Sequence, residues 1–251
     1  MRYLVTVAYS GENYFGFQRQ PKKVSVQGTI EKQLSFYLGN KTEIKAAGRT
    51  DAGVHALGQT FTFDVPKPLD ENAFLKALNR LLPENICFQS IRLVDDAFDA
   101  RRDAKTKVYR YVFSVNERYP LKTGKIAQLR RDDFKIGPFL QALGLFNGKH
   151  DFRNFTTKPE DERGFIRTIY SIEAETQNDG NLVEVILVGD GFMRYQIRMM
   201  IGSAIRVGLG RLTCDDIRSH LDVPQRDILP YKAPACGLTL MEVRYEDDPN
   251  L

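Results

Sequence analysis

Arg2-Tyr3-Leu4-Val5-Thr6-Val7-Ala8-Tyr9 places Tyr3, Val5, Val7 and Tyr9 on one side at period two, which predicts a half-buried strand. The turn-rich Ser10-Gly11-Glu12-Asn13 follows. Val26, Ile30, Leu34, Tyr37 and Leu38 then recur at helical spacing up to a stop at Gly39-Asn40. Glu43 to Ala47 is a short strand candidate, Phe61 to Val65 alternates as another strand, Leu69 to Leu82 is an amphipathic helix ended by Pro83, and Ile86 to Val94 supplies a last strand. The order β-α-β-β-α-β is the ferredoxin-like split unit, a four-stranded antiparallel sheet with helices on one face.

The remainder of the chain is expected to repeat that order. Lys107 to Val115 reads as a strand and Phe134 to Phe146 as a helix; Thr168 to Glu175 and Asn181 to Val188 read as two strands around the turn Asn178-Asp179-Gly180. Arg194 to Val207 reads as a second helix and Gly237 to Tyr245 as a final strand. The fold class is therefore α+β, with two ferredoxin-like halves, residues 1–104 and 105–251, and a central cleft between their sheets. The boundary falls near Ala104 because the basic stretch before Lys107 carries no core pattern.

Composition bounds the function only loosely. At 251 residues, 42% hydrophobic and 27% charged, the chain has the makeup of an ordinary globular protein able to bury a core without disulfides or metals. Charge interrupts every apolar stretch, and the N-terminal residues lack the apolar run and cleavage site of a signal peptide. A cytoplasmic location with no membrane partner is expected. Cys87, Cys214 and Cys236 are odd in number and far apart, which argues against a disulfide framework or a structural zinc site. The formal charge of +4 is mild, but positive residues cluster in Arg101-Arg102-Asp103-Ala104-Lys105-Thr106-Lys107 and again at Arg194, Arg198, Arg206 and Arg211. Such clusters suit a phosphate-binding surface and equally a solvated charged face.

The chemistry concentrates in Ala46-Ala47-Gly48-Arg49-Thr50-Asp51-Ala52-Gly53-Val54-His55-Ala56-Leu57-Gly58-Gln59. Three glycines within eleven residues predict a tight loop between two strands, with its backbone close to something. Asp51 on that loop either caps a turn through nearby N–H groups or is a chemical carboxylate. A metal site with His55 is the weaker reading, since His150 and His220 lack a carboxylate-rich context. Arg198 shares a helical face with Ile201, Gly202 and Ile205, and a guanidinium on an apolar stripe needs an anion, which periodicity cannot name. Tyr109 alternates with Tyr111, Phe113 and Val115, as a core face does; a tyrosine at the strand end also suits stacking on an unstacked base.

Taken together, Gly-Arg-Thr-Asp-x-Gly-Val-His-Ala at 48–56, Lys-x-Tyr-x-Tyr at 107–111, Phe-Met-x-x-x-Ile-Arg at 192–198 followed by Gly202, and Ala-Pro-Ala-x-Gly-Leu at 233–238 closely resemble the tRNA pseudouridine synthase A (TruA) family. Tyr-Ser-Gly-x-x-Tyr-Phe-Gly-Phe-Gln-Arg-Gln at 9–20 extends the resemblance over nearly the whole chain. It implies Asp51 as catalytic aspartate, Tyr109 as the tyrosine that stacks on the target base, Arg198 as the ion-pair partner of Asp51, and Arg49 as an arginine that helps hold the flipped-out nucleotide. It also implies a homodimer acting on uridines on the 3′ side of the tRNA anticodon stem-loop, with no metal and no cofactor. Arg101, Lys105 and Lys107 are the candidate RNA-binding cations. Three positions depart from the common bacterial pattern: Gln196 stands where Met is frequent, Tyr195 where His is common, and Asp99 replaces a frequent His.

The implied reaction breaks the N1–C1′ bond, rotates the uracil and joins C5 to C1′, so it consumes no second substrate and needs no redox cofactor. A carboxylate serves it either as a nucleophile or as the base that removes the 2′ proton. Three other readings stay open at this stage: a paralogue acting on ribosomal or other RNA, a non-catalytic RNA-binding protein in which Asp51 is a turn residue, and a hydrolase that would need a second acid about 5–9.5 Å away.

Overall fold

The computed structural model describes residues 1–160, 164–178, 180–222 and 226–246. They fall into two compact units, Met1–Lys105 with the segment that begins at Thr239, and Thr106–Leu238.

In the first unit β1 (Arg2–Tyr9), α1 (Val26–Leu38), β2 (Lys45–Ala46), β3 (His55–Asp64), α2 (Glu71–Leu81) and β4 (Ile86–Val94) follow the expected order. The sheet runs β4-β1-β3, all antiparallel, with β2 antiparallel on β3. β1 is central: Val5 stands opposite Phe61 on one side and Ile91 on the other. Tyr3, Val5, Val7 and Tyr9 are all buried, as the period-two pattern requires. Ser25 caps α1 by accepting from the Gly28 N–H, and Gly39 ends it in the left-handed conformation at φ 72°. Val26, Ile30 and Leu34 face inward. On α2, capped by Asp70, the inward Phe74 stacks on Phe63 with ring centroids 5.5 Å apart.

The second unit holds β5 (Thr106–Val115), β6 (Ala127–Leu129), α3 (Ile136–Gly144), β7 (Gly148–Asp151), β8 (Ile166–Gln177), β9 (Leu182–Gly189), α4 (Gln196–Gly208) and α5 (Cys214–Asp222). Its strands run β5-β9-β8-β7, antiparallel, and β6 lies parallel on β5. Tyr111 and Phe113 on β5 and Phe139 on α3 are fully buried in its core. Of the expected turn Asn178-Asp179-Gly180, Asp179 lies outside the described residues. Among the described residues, no helix is long and apolar enough to cross a membrane.

Six elements differ from expectation. β3 begins at His55 rather than Phe61, so Gly58 lies inside a strand. The last strand, β10 (Leu238–Arg244), pairs in parallel with β3, Thr239 opposite His55 and Leu240 opposite Ala56. One fact explains both: a Cβ on Gly58 would lie 2.3 Å from the Met241 carbonyl oxygen, so only glycine lets β10 approach. The strand expected at 43–47 shrinks to Lys45–Ala46. β6, β7 and α5 are additions; β6 has three residues, too few for periodicity, and β7 is Gly-Lys-His-Asp without an apolar side chain. For α5 a signal exists, because the Thr213 hydroxyl accepts from the Asp216 N–H while the Asp216 carboxylate accepts from the Thr213 N–H, the reciprocal pattern of a capping box.

Candidate active site

In the first unit the loop that carries Asp51 is built by main-chain bonds. The Val54 N–H donates to the Asp51 carbonyl at 3.1 Å, closing a four-residue turn that Gly53 permits at φ 79°. Turn closure therefore falls to the backbone of Asp51, whose side chain is half-buried. The end of β1 and the segment that follows it hold this turn. The Phe17 N–H donates to the Thr50 carbonyl at 3.1 Å, and the Tyr9 hydroxyl shares a hydrogen bond of 2.9 Å with Thr50 Oγ1. Burial pushes the Tyr9 phenol far above its ordinary value, so it remains protonated. Gly16, at φ 92°, has Thr50 O and the Asp51 carbonyl carbon 2.9 and 3.3 Å from where a Cβ would lie. At Gly11 a Cβ would overlap Val54 O at 2.0 Å.

His55 belongs to the same web. Its Nδ1 accepts from the Gly11 N–H at 3.1 Å, which places the proton of the neutral ring on Nε2 and gives the residue a fastening role. Among the described residues no group of three His, Cys, Asp or Glu side chains could hold a metal ion. From the other side, fully buried Gln59 donates to the Gly48 carbonyl at 3.1 Å. Arg19 pairs with buried Glu31 at 2.7 Å, and the Glu31 carboxylate also accepts from the Ile44 N–H, which ties the 17–20 segment to α1 and to the approach to β2. Arg49, next to this web, is exposed.

The web makes a specific test possible. Gly11→Ala should lower the melting temperature by several degrees and reduce turnover, because the added methyl must push Val54 and the Asp51 turn aside at a cost of about 1–3 kcal/mol. Gly137→Ala, where a Cβ meets nothing within 4 Å, is the control and should leave both measurements near wild type. Equal melting curves for the two variants would count against the web as the support of Asp51.

Arg101 and Lys105, also in this unit, are exposed. The turn between them is held by Asp99, whose carboxylate accepts from the Arg102 and Arg101 N–H groups at 2.8 and 2.9 Å. Those backbone bonds, the Arg102 one foremost, hold its carboxyl below the usual range. The departure at Asp99 is thus occupied with shaping the turn.

In the second unit, Lys107 and Tyr109 lie on β5 opposite Gly189 and Leu187. Tyr109 is 8% exposed and meets Phe192 edge-on at 5.3 Å, so the core-face reading describes its body. α4 starts after Tyr195, which takes φ 64°. Arg198, in its first turn, is half-buried and makes a reciprocal pair of bonds: its Nε donates to the Ala233 carbonyl at 2.8 Å, and the Ala233 N–H donates to the Arg198 carbonyl at 2.8 Å. A turn later, a Cβ on Gly202 would lie 2.4 Å from Tyr231 O. Gly202 therefore lets the 231–234 backbone lie on the helix, and Tyr111 fixes its far end by donating to the Pro234 carbonyl at 3.0 Å. Gln196 is fully buried and accepts from the Met193 N–H at 2.9 Å, so this departure acts on the shape of the loop before α4.

The sequence motifs are thus mainly lists of fasteners around two side chains, Asp51 and Arg198. Comparison with known proteins gives that pattern its name. The chain matches the sequence profile of a family described as tRNA pseudouridine synthase over residues 5–102 and 142–246. It belongs to that family. The tRNA pseudouridine synthase A of Geobacillus kaustophilus is 37% identical over 96% of this chain and 93% of its own, and that of Exiguobacterium sp. is 37% identical over 98% of each. The corresponding protein of Mycoplasma genitalium is 31% identical over 98% of this chain and 99% of its own. The enzyme is accordingly an RNA-binding isomerase of tRNA processing. Arg49, Asp51, Arg101 and Arg198 lie within the matched segments, while Lys105, Lys107 and Tyr109 fall in the stretch between them. Asp51 and Arg198 are the two side chains on which the sequence reading centred, and each lies in a matched segment. Gly11, Gly16 and Gly202 stood in the sequence motifs, but their role as points of close backbone approach was not read from the sequence.

Proposed function

We propose that the enzyme isomerises uridine to pseudouridine on the 3′ side of the tRNA anticodon stem-loop, with Asp51 as its catalytic carboxylate. The observation that carries this reading is the fixing of the main chain that presents Asp51: the Val54 N–H closes the turn on the Asp51 carbonyl, and the Phe17 N–H and the Tyr9 hydroxyl tie Thr50 beside it. Asp51 acts at the ribose or the base: the N1–C1′ bond breaks, the ring turns, C5 bonds to C1′, the C5 proton is lost and N1 gains one. Arg198 supplies the opposite charge that keeps the carboxylate ionised. Tyr109 stacks on the extruded base, Arg49 holds the flipped nucleotide, and Arg101, Lys105 and Lys107 take RNA phosphates, together offsetting an unstacking cost on the order of a few kcal/mol. The working form is a homodimer in the cytoplasm.

The test is incubation with unmodified transcribed tRNAs followed by carbodiimide mapping of pseudouridine. Stops confined to the 3′ side of the anticodon arm are expected. Modification of ribosomal RNA alone would replace the substrate, and tight binding without any pseudouridine would remove the reaction.

A further inference from the structure

Positive charge in the second unit gathers on one ring. The Arg194 guanidinium carbon lies 4.7 Å from the Tyr195 centroid, the Lys232 ammonium 4.8 Å and the Arg198 guanidinium carbon 5.3 Å. A ring has two faces, so at least two of these cations share one, and Arg194 and Lys232 stand within about 10 Å of each other. Arg194 also donates to the Tyr195 hydroxyl at 2.9 Å. Both Arg194 and Lys232 are exposed, and neither forms an ion pair among the described residues.

The cations are held in place by their main chain. Thr156 Oγ1 donates to the Arg194 carbonyl at 2.8 Å, and Lys232 precedes Ala233, which is bonded to Arg198 in both directions. Tyr195 itself adopts φ 64°, an unfavourable conformation for a tyrosine, and its ring lies amid the three charges. One exposed cation on a tyrosine needs no explanation. Like charges brought together on one ring repel at a separation comparable with the Debye length, and an anion between them relieves that repulsion.

We propose that Arg194 and Lys232, braced against Tyr195, bind a backbone phosphodiester of the RNA immediately beside the nucleotide that is isomerised. A phosphodiester fits because two fixed, exposed cations flank an aromatic face, the pairing by which single-stranded RNA is held. The placement beside the target follows from Arg198, which shares the same ring, and it rests on the role given to Arg198 under the proposed function.

The experiment measures affinity of the whole enzyme for an unmodified tRNA transcript from about 50 to 200 mM salt. Arg194→Gln with Lys232→Gln should lower the slope of log K against log salt by about 0.7–0.9 and weaken binding about five-fold near physiological salt, the yield of one phosphate contact. Arg194→Lys with Lys232→Arg keeps both charges and should keep the slope, as should Tyr195→Phe, which guards against a folding artefact. An unchanged slope in the double glutamine variant overturns the contact, and would direct attention to an acidic protein partner. Placement is read with transcripts carrying a neutral methylphosphonate on one or the other side of the target uridine. For one of them wild type and double variant should bind equally; a gap persisting for both overturns the placement. Should wild type make no pseudouridine while the slope difference remains, the phosphate contact stands and the proposed reaction falls.

Discussion

Asp51→Asn should abolish pseudouridine formation while leaving tRNA affinity and the melting temperature close to wild type. The amide has the shape of the carboxylate but serves neither as nucleophile nor as base, and losing such a group costs about 10²-fold or more. The fold should survive because the turn around residue 51 is closed through its carbonyl and tied at Thr50, bonds that an isosteric side chain leaves in place. The measurement is single-turnover formation of pseudouridine with saturating tRNA, alongside thermal melting. Residual activity above about a hundredth of wild type would leave Asp51 as a turn residue, the plainer of the two readings its sequence context allows.

How far the sequence discloses this arrangement depends on the range of the forces involved. β1, α1 and α2 are legible because their burial pattern repeats within the element: Tyr3, Val5 and Val7 at period two, Val26, Ile30 and Leu34 at helical spacing. α5 was legible in principle through Thr213 and Asp216, yet its first turn is polar and its apolar stripe short. β10 is different in kind. Its pairing with β3 joins residues far apart in the chain, and the local sign of it, Gly58, looks the same as a loop glycine until Met241 is placed beside it. The site follows the same division. Arg198 stands out locally because a guanidinium on an apolar stripe needs an anion, whereas Asp51, on a loop where a turn-capping aspartate is ordinary, stands out only through the family motif around it. What satisfies part of Arg198, the carbonyl of Ala233, lies 35 positions away and has no side-chain identity for a sequence pattern to register.

Arg198→Met should lose turnover by about 10²-fold or more and lower the melting temperature by roughly 2–10 °C, through two separable causes. The stability loss is local: the buried Ala233 carbonyl forfeits its Nε donor, and an unsatisfied buried acceptor costs about 1–3 kcal/mol. The catalytic loss follows from the proposed counter-charge to Asp51. A neighbouring cation favours the ionised carboxylate and lowers its pKa, so removing it raises the pH at which the carboxylate takes up its proton, and the acidic limb of the pH–rate profile should move upward. Arg198→Lys separates the causes. An ammonium restores a positive charge but lacks the planar guanidinium whose Nε serves Ala233, so its acidic limb should lie nearer wild type than that of Arg198→Met. Activity should remain low where geometry is lost. If Arg198→Met melts lower but keeps the wild-type acidic limb, Arg198 is a brace for the 231–234 backbone alone, and the charge opposite Asp51 has to come from elsewhere.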